Sequence, residues 1–238
     1  MFCPSSVLAH LAKFVVTIGC MRALNNYYGK ATTWSVRAFQ MQLLHSMVGL
    51  LRFGAPFITS AIDVTKYLRI FYDWYSKIVD VIPLALFTAG FLHGYGVSQK
   101  VWLTVLSLGV LPIFFYLQPK RKESQMRKHQ LLMNIIYTLQ LLMITLVGLR
   151  NSNYNVISLV ASYIFERFFI DEFCYYYDIP STDLTQYSLC FIEIFMVLTL
   201  NELTRSQLLS RIGFVKIQLI GNFHSFRLSG DQFSYFND

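Results

Sequence analysis

The chain carries its apolar residues in long uninterrupted blocks rather than in stripes at helical spacing. Four such blocks cover residues 81–97, 101–117, 131–149 and 154–170. Each block has about 17 to 19 residues, close to the ~20 apolar residues with which an α-helix crosses a bilayer. The pattern therefore predicts an all-α fold, a polytopic membrane helical bundle.

Two earlier apolar stretches are interrupted by polar or charged side chains. Residues 7–21 contain Lys13, and residues 41–62 contain His45 and Arg52. An Arg near the middle of a span costs about 2.5 to 3.5 kcal/mol on insertion scales. We therefore expect at most one of these stretches to cross, which gives four or five spans in a single integral membrane domain over residues 1–238.

A later apolar stretch, residues 187–200, contains Glu193. It has about 14 residues, too few to cross a bilayer upright. We expect it to pack against the bundle or to lie in the membrane interface.

Composition supports a membrane environment. Hydrophobic residues make up 55% of the chain and charged residues 14%, against about 45–50% and about 25% in soluble proteins. The formal net charge is +7, but no nucleic-acid-binding module accompanies the basic residues, which lie mainly between the apolar blocks. We therefore expect no nucleic-acid partner.

The basic residues predict an orientation, because cytosolic loops of membrane proteins are enriched in Lys and Arg. The connection between the second and third blocks contains Lys120, Arg121, Lys122, Arg127 and Lys128. Placing it in the cytosol also places residues 22–80 there. Only Lys100 and Arg150 then remain in the two short lumenal connections, and the C-terminus is predicted to be cytosolic.

Residues 62–80 form a predicted amphipathic surface helix. On a helical wheel, its charged residues face away from its aromatic and aliphatic ones. We expect this helix to lie in the cytosolic membrane surface, where tryptophan, tyrosine and basic side chains are favoured. The predicted membrane contacts are Lys66, Arg69, Phe71, Trp74, Lys77 and Ile78. The alternative is a helix packed on the protein's own cytosolic face.

A second amphipathic helix is predicted over residues 203–220, with apolar positions at helical spacing. The remaining residues, 221–238, are polar with scattered phenylalanines and are expected to form a loosely ordered tail. Two surface helices beside short spans would occupy more area in one leaflet than in the other, an arrangement that senses or generates curvature.

Ionisable residues at membrane depth are candidates for function. Glu193 lies inside an apolar stretch, and Arg52 is the basic residue with which we expect it to form an intramembrane polar pair. Such a pair holds a bundle together or, in a transporter, faces a cavity.

No catalytic, cofactor or metal motif is present in the sequence. The cysteines at 3, 20, 174 and 190 form no C-x-x-C pair, and no histidine has a second ligand at metal spacing. His93 lies in a glycine-rich stretch that predicts a tight turn rather than a phosphate loop. We therefore expect a non-enzymatic protein without a cofactor or metal.

Several short segments resemble the transmembrane protein 33 family of endoplasmic-reticulum and nuclear-envelope proteins. After the first apolar stretch the matching residues are Val36-Arg37-Ala38, Leu43-Leu44-His45-Ser46, Leu50-Leu51-Arg52 and Pro56; near the C-terminus they are residues 211–215, Arg-Ile-Gly-Phe-Val. Together they cover about a fifth of the chain. Residues 171–178 depart from the family, because they are acidic and aromatic where the family has an arginine-rich segment.

The resemblance implies a protein that shapes tubular endoplasmic reticulum beside other curvature proteins and contributes to nuclear-envelope organisation. Short spans and surface helices favour the same function, which is an effect on membrane shape or complex assembly. The expected partners are the lipid bilayer, with anionic headgroups, and other membrane proteins. The alternative is a small transporter or an accessory subunit of a larger membrane complex.

Overall fold

A computed structural model describes residues 4–25, 30–58, 62–116 and 123–230. The described residues contain no strand, and the all-α prediction is confirmed. The helices are α1 Pro4–Asn25, α2 Lys30–Ile58, α3 Ile62–Val79, α4 Ile82–Gly94, α5 Gln99–Tyr116, α6 Glu123–Arg150, α7 Asn155–Ile164, α8 Ile170–Tyr177 and α9 Ser181–Gly230. A π-helical turn, Phe165–Phe169, joins α7 to α8.

The core surrounds α4, whose side chains are buried along most of its length. Phe87 and Phe91 of α4 pack with apolar residues of α1, α2, α6, α7 and α9. Close approach of α5 requires a glycine, because a Cβ added at Gly109 would overlap Ala85 of α4. Small residues at such crossings let helices pack closely in a membrane.

Tight turns connect neighbouring helices. Gly96 follows α4 with φ of +71°, a conformation that glycine adopts without strain, so the turn predicted around His93 is confirmed. Asp178 ends α8 in the left-handed conformation, and Pro180 precedes the first residue of α9. These turns let successive helices run back and forth through the bundle.

Four helical stretches are long and apolar enough to cross a membrane: Pro4–Leu24, Asp63–Gly94, Gln130–Arg150 and Ser181–Leu208. The protein is therefore a multi-pass membrane protein. Four candidate spans agree with the predicted four or five, but they are not the same segments of the chain as the predicted ones. Residues 131–149 were placed correctly, and residues 81–97 form the end of a longer stretch that begins in α3. The helix predicted at 101–117 is present as α5, whose apolar part is shorter, Gln99–Phe114.

Two of the other span predictions need correction. Residues 154–170 do not form one uninterrupted α-helix, because the π-helical turn divides it and the helical path continues to Tyr177. The expectation that at most one of the two early stretches crosses agrees with the structure: residues 7–21 belong to the candidate span Pro4–Leu24, whereas residues 41–62 lie mainly in α2, which is not one of the four. The prediction that residues 187–200 are too short to cross was wrong, because they lie inside Ser181–Leu208.

Helix α9 also runs through the two segments predicted after residue 200. Residues 203–220 continue it without a break, and residues 221–230 are helical rather than a loose tail. Residues 231–238 lie outside the described residues, as do Cys3 and the basic residues Lys120, Arg121 and Lys122. The side chains of Arg127, Lys128 and residues 209–230 are likewise outside what the structure describes.

The contacts of α9 show which of its turns lie at which end of the bundle. Its first turn meets the start of α1, where Ser6 donates a hydrogen bond to Asp183. Further along, the carbonyl of Thr199 accepts a hydrogen bond from Asn153, which also contacts the hydroxyl of Tyr95. Helix α9 therefore runs from the end of the bundle that carries α3 towards the end that carries Tyr95 and Asn153.

Candidate membrane-surface site

Helix α3 has three different sides. Tyr72, Tyr75 and Val79 are buried against the rest of the protein. Five charged residues are exposed on a second side, where Asp63, Lys66, Arg69, Asp73 and Lys77 are found. The third side is apolar and exposed, and it separates the other two.

The exposed apolar side consists of large side chains. Tyr67 is 72% exposed, Phe71 44% and Trp74 46%. The rings of Phe71 and Trp74 lie 6.2 Å apart. Residues at positions 67, 71, 74 and 78 follow one face of a helix. The predicted contact residues Lys66, Arg69, Phe71, Trp74 and Lys77 are thus all exposed, while Ile78 is partly buried.

A row of side-chain contacts fixes the buried side of α3 to α1 and α2. The hydroxyl of Tyr72 lies 3.1 Å from Nε2 of His10, and Oγ of Ser76 lies 2.9 Å from Nε2 of His45. Tyr75 donates a hydrogen bond of 3.1 Å to the carbonyl oxygen of Met41. Because these contacts occupy successive turns, they determine which side of α3 faces outward.

Arg52 reinforces this attachment from α2. Its guanidinium donates a 2.6 Å hydrogen bond to Asp73 and lies 4.5 Å from the ring centroid of Tyr72. Arg69 also reaches Asp73, at 3.9 Å along the same helix. Asp73 is therefore neutralised by two arginines, and the outer surface of α3 is dominated by its basic side chains.

The contacts continue from α3 into the interior. Nζ of Lys13 is buried and lies 3.3 Å from Nδ1 of His45. Because a lysine amine donates, Nδ1 accepts, and Nε2 of His45 carries the hydrogen that it donates to Ser76. The Thr17 hydroxyl lies 2.7 Å from Oε2 of Glu193. A polar network thus links α9 through α1 and α2 to α3.

This network corrects the predicted pair of Arg52 and Glu193. Arg52 binds Asp73 near the surface, whereas Glu193 contacts Thr17 in the interior. Sequence reasoning treated Lys13 only as an interruption of an apolar stretch. The signal that identifies its role is the spacing of Ser6, His10, Lys13 and Thr17, which places four buried polar side chains on one face of α1.

The described residues contain no group of three histidine, cysteine or acidic side chains that could hold a metal ion. Cys20, Cys174 and Cys190 are buried free thiols. No family model, curated protein or solved structure matches this chain. The resemblance to the transmembrane protein 33 family therefore stays a prediction.

Proposed function

We propose that this protein is a non-enzymatic multi-pass protein of the endoplasmic reticulum or nuclear envelope that acts on membrane shape or complex assembly. Helix α3 is its contact with the headgroup layer. The observation that carries the proposal is the exposure of Tyr67, Phe71 and Trp74 on a helix whose opposite side is fixed to the protein. Aromatic side chains of this kind favour the membrane interface.

The length of the α3–α4 stretch supports this placement. Asp63–Gly94 has 32 residues, about 48 Å at ~1.5 Å per residue. A hydrocarbon layer of about 30 Å takes up about 20 of them. With Gly94 at one surface, roughly the first dozen residues extend past the other, and Phe71 and Trp74, the last exposed aromatic residues of that dozen, then lie at headgroup level.

Charge complementarity favours an anionic membrane surface. Lys66, Arg69 and Lys77 border the exposed aromatic side, and each basic residue near an anionic surface contributes about 1 kcal/mol. Anionic lipids are concentrated in cytosolic leaflets. The α3 end of the bundle then faces the cytosol, as the basic residues predict, and the C-terminal half of α9 emerges in the lumen, so that the proposal differs from the prediction only for the C-terminus.

The proposed organelle rests mainly on the resemblance to the transmembrane protein 33 family. The shorter apolar helix Gln99–Phe114 is not one of the four candidate spans, and those four have 21 to 32 residues, so the resemblance carries most of the organelle assignment. Organelle imaging of a tagged chain tests this assignment, and protease protection of tags after residue 80 and at the C-terminus tests the orientation. We expect the first tag to be digested from the cytosol and the second to be protected.

The function is tested by expressing variants beside an endoplasmic-reticulum marker and measuring the fraction of membrane in tubules. The wild-type chain is expected to increase this fraction, and Phe71→Asp with Trp74→Asp is expected to abolish the increase. Ile70→Asp is the matched control, because Ile70 is 57% exposed on the charged side of the same helix. If the double variant increased the fraction of tubules as much as the control does, α3 would have no part in the function.

A small transporter or an accessory subunit is the second candidate, favoured by the burial of Lys13 and Glu193 in candidate spans. Intramembrane ionisable residues often mark ion or substrate pathways. Glu193→Gln separates the two candidates. Loss of flux at normal abundance supports transport, whereas reduced abundance supports a structural role.

A further inference from the structure

A cavity of about 260 Å³ lies beneath α3, among α2, α4, α6, the π-helical turn and the start of α9. Its volume equals that of about nine water molecules at ~30 Å³ each. Ser181 and Thr182 are exposed lining residues at the start of α9. The exposed aromatic residues of α3 do not line the cavity, so the membrane-surface role of α3 does not explain it.

Two residues that line this cavity carry buried side-chain oxygens that have no partner among the described residues. Gln42 is 6% exposed and Gln186 is 4% exposed, and both line the cavity. Among the described residues, neither side-chain oxygen has a hydrogen-bond partner. An unsatisfied buried acceptor costs about 1 to 3 kcal/mol. A ligand that donates hydrogen bonds at this position would remove that cost.

The charges around the cavity favour a cation. Arg167 pairs with Asp80, at 3.3 Å, and donates to Asn134, at 3.1 Å. Glu166 also lines the cavity, and it forms no ion pair with any residue that the structure describes. Its position in the π-helical turn is typical of functional sites, where such turns frequently occur. One carboxylate is thus left for a ligand.

Aromatic rings also line the cavity. Tyr72, Tyr137 and Tyr163 are lining residues, and the last two rings meet edge to face at 5.7 Å. Arg52 already lies over the ring of Tyr72 and Arg167 over the ring of Tyr137, so Tyr163 is the ring left for a ligand among these three. Aromatic faces attract organic ammonium groups, whereas a divalent metal prefers several carboxylate and carbonyl oxygens. No metal-holding cluster of histidine, cysteine or acidic residues occurs in the described part of the chain.

We propose that this cavity binds the primary ammonium group of a small organic amine. Glu166 pairs with its charge, and the side-chain oxygens of Gln42 and Gln186 accept its N–H groups. The ammonium belongs either to a free amine or to an ethanolamine lipid headgroup, since both present the same chemistry. This site does not depend on the proposed role of α3.

The test uses the full chain in phosphatidylcholine nanodiscs and follows the midpoint of thermal unfolding, since a ligand that binds the folded state raises it. Ethylammonium is expected to raise the midpoint saturably, and tetramethylammonium, which has no N–H, is expected to be at least tenfold weaker. Sodium at equal ionic strength is expected to have no effect. If soluble amine is inactive but ethanolamine headgroups in the nanodisc raise the midpoint, the source is the lipid.

Two variants locate the site. Glu166→Gln keeps the shape of the side chain, removes its charge and is expected to weaken ethylammonium binding at least tenfold. Gln186→Leu is expected to weaken it as well and serves if the first variant does not fold. Glu172→Gln is the control, because Glu172 is an exposed carboxylate outside the cavity. Unchanged amine binding in a folded cavity variant, or equal stabilisation by sodium, would overturn the proposal.

Discussion

Nζ of Lys13 lies 3.3 Å from Nδ1 of His45, and both side chains are buried at the junction of α1 and α2. The other ring nitrogen of His45 is hydrogen-bonded to Ser76 of α3. Thr17, one turn after Lys13, is hydrogen-bonded to Glu193 of α9. Polar contacts in the interior thereby set the rotation of a surface helix. The following predictions concern the parts of this arrangement.

Removing the amine of Lys13 is expected to destabilise the protein strongly. Lys13→Met removes the donor to Nδ1 of His45, and a buried acceptor left unsatisfied costs about 1 to 3 kcal/mol. The free energy of unfolding in detergent measures the effect, and Lys100→Met, at an exposed site, is the control. A Lys13→Met variant as stable as wild type would contradict the network.

The hydroxyl of Ser76 is expected to hold α3 against the bundle. Ser76→Ala leaves Nε2 of His45 without its acceptor, at a cost of about 1 to 3 kcal/mol. Amide hydrogen exchange should become faster in α3 than in α6. Ser162→Ala is the control, because the Ser162 hydroxyl donates to the carbonyl of Ser158 within its own helix. Equal exchange in the two variants would show that Ser76 does not position α3.

Gly49 and Gly54 are expected to respond in opposite directions to alanine. A Cβ at Gly49 would overlap the His10 ring, which contacts Tyr72, whereas a Cβ at Gly54 would have no atom of a described residue within 4 Å. Gly49→Ala should destabilise by about 1 to 3 kcal/mol. Gly54→Ala should stabilise α2 by about 0.5 to 1 kcal/mol. Thermal unfolding midpoints compare them, and a stabilising Gly49→Ala would show that His10 is not held there.

The ion pair of Arg52 and Asp73 is expected to contribute little to stability. Its side chains are 21% and 50% exposed, so solvent screens the pair, and exposed pairs contribute about 0.2 to 1 kcal/mol. A double-mutant cycle with Arg52→Gln and Asp73→Asn should give a coupling energy in this range, with Asp63→Asn as the control. A coupling well above 1 kcal/mol would mean that the pair is desolvated by the membrane.

The sequence predicted the helical class and several helix positions well. The helix predicted at residues 62–80 is Ile62–Val79, and the span predicted at 131–149 is Gln130–Arg150. Long apolar blocks and the polar turns between them indicate where helices begin and end, because both are features of neighbouring residues in the sequence. The rotation of α3 did not follow, because the helical wheel grouped Tyr75 and Val79 with Trp74. Apolar residues suit both lipid and protein neighbours, so periodicity alone does not distinguish the two.

Glu193 explains why one candidate span was not predicted. Counting it as a break shortened the apolar stretch to residues 187–200, which lie inside Ser181–Leu208. In the fold Glu193 is buried and contacts Thr17, a partner 176 residues away in the sequence. Long-range pairing of this kind has no local signal. The polar positions 6, 10, 13 and 17 of α1 are the local clue that such a partner was needed.

The depth of Trp74 tests the central claim most directly. Trp34→Phe with Trp102→Phe leaves Trp74 as the single tryptophan, since the chain has 3. The variant is reconstituted in phosphatidylcholine–phosphatidylserine vesicles with lipids brominated either near the headgroup or near the end of the acyl chain. We predict the strongest fluorescence quenching by the shallow bromines. Quenching mainly by the deep bromines, or none by either lipid, would contradict a membrane-surface role for α3.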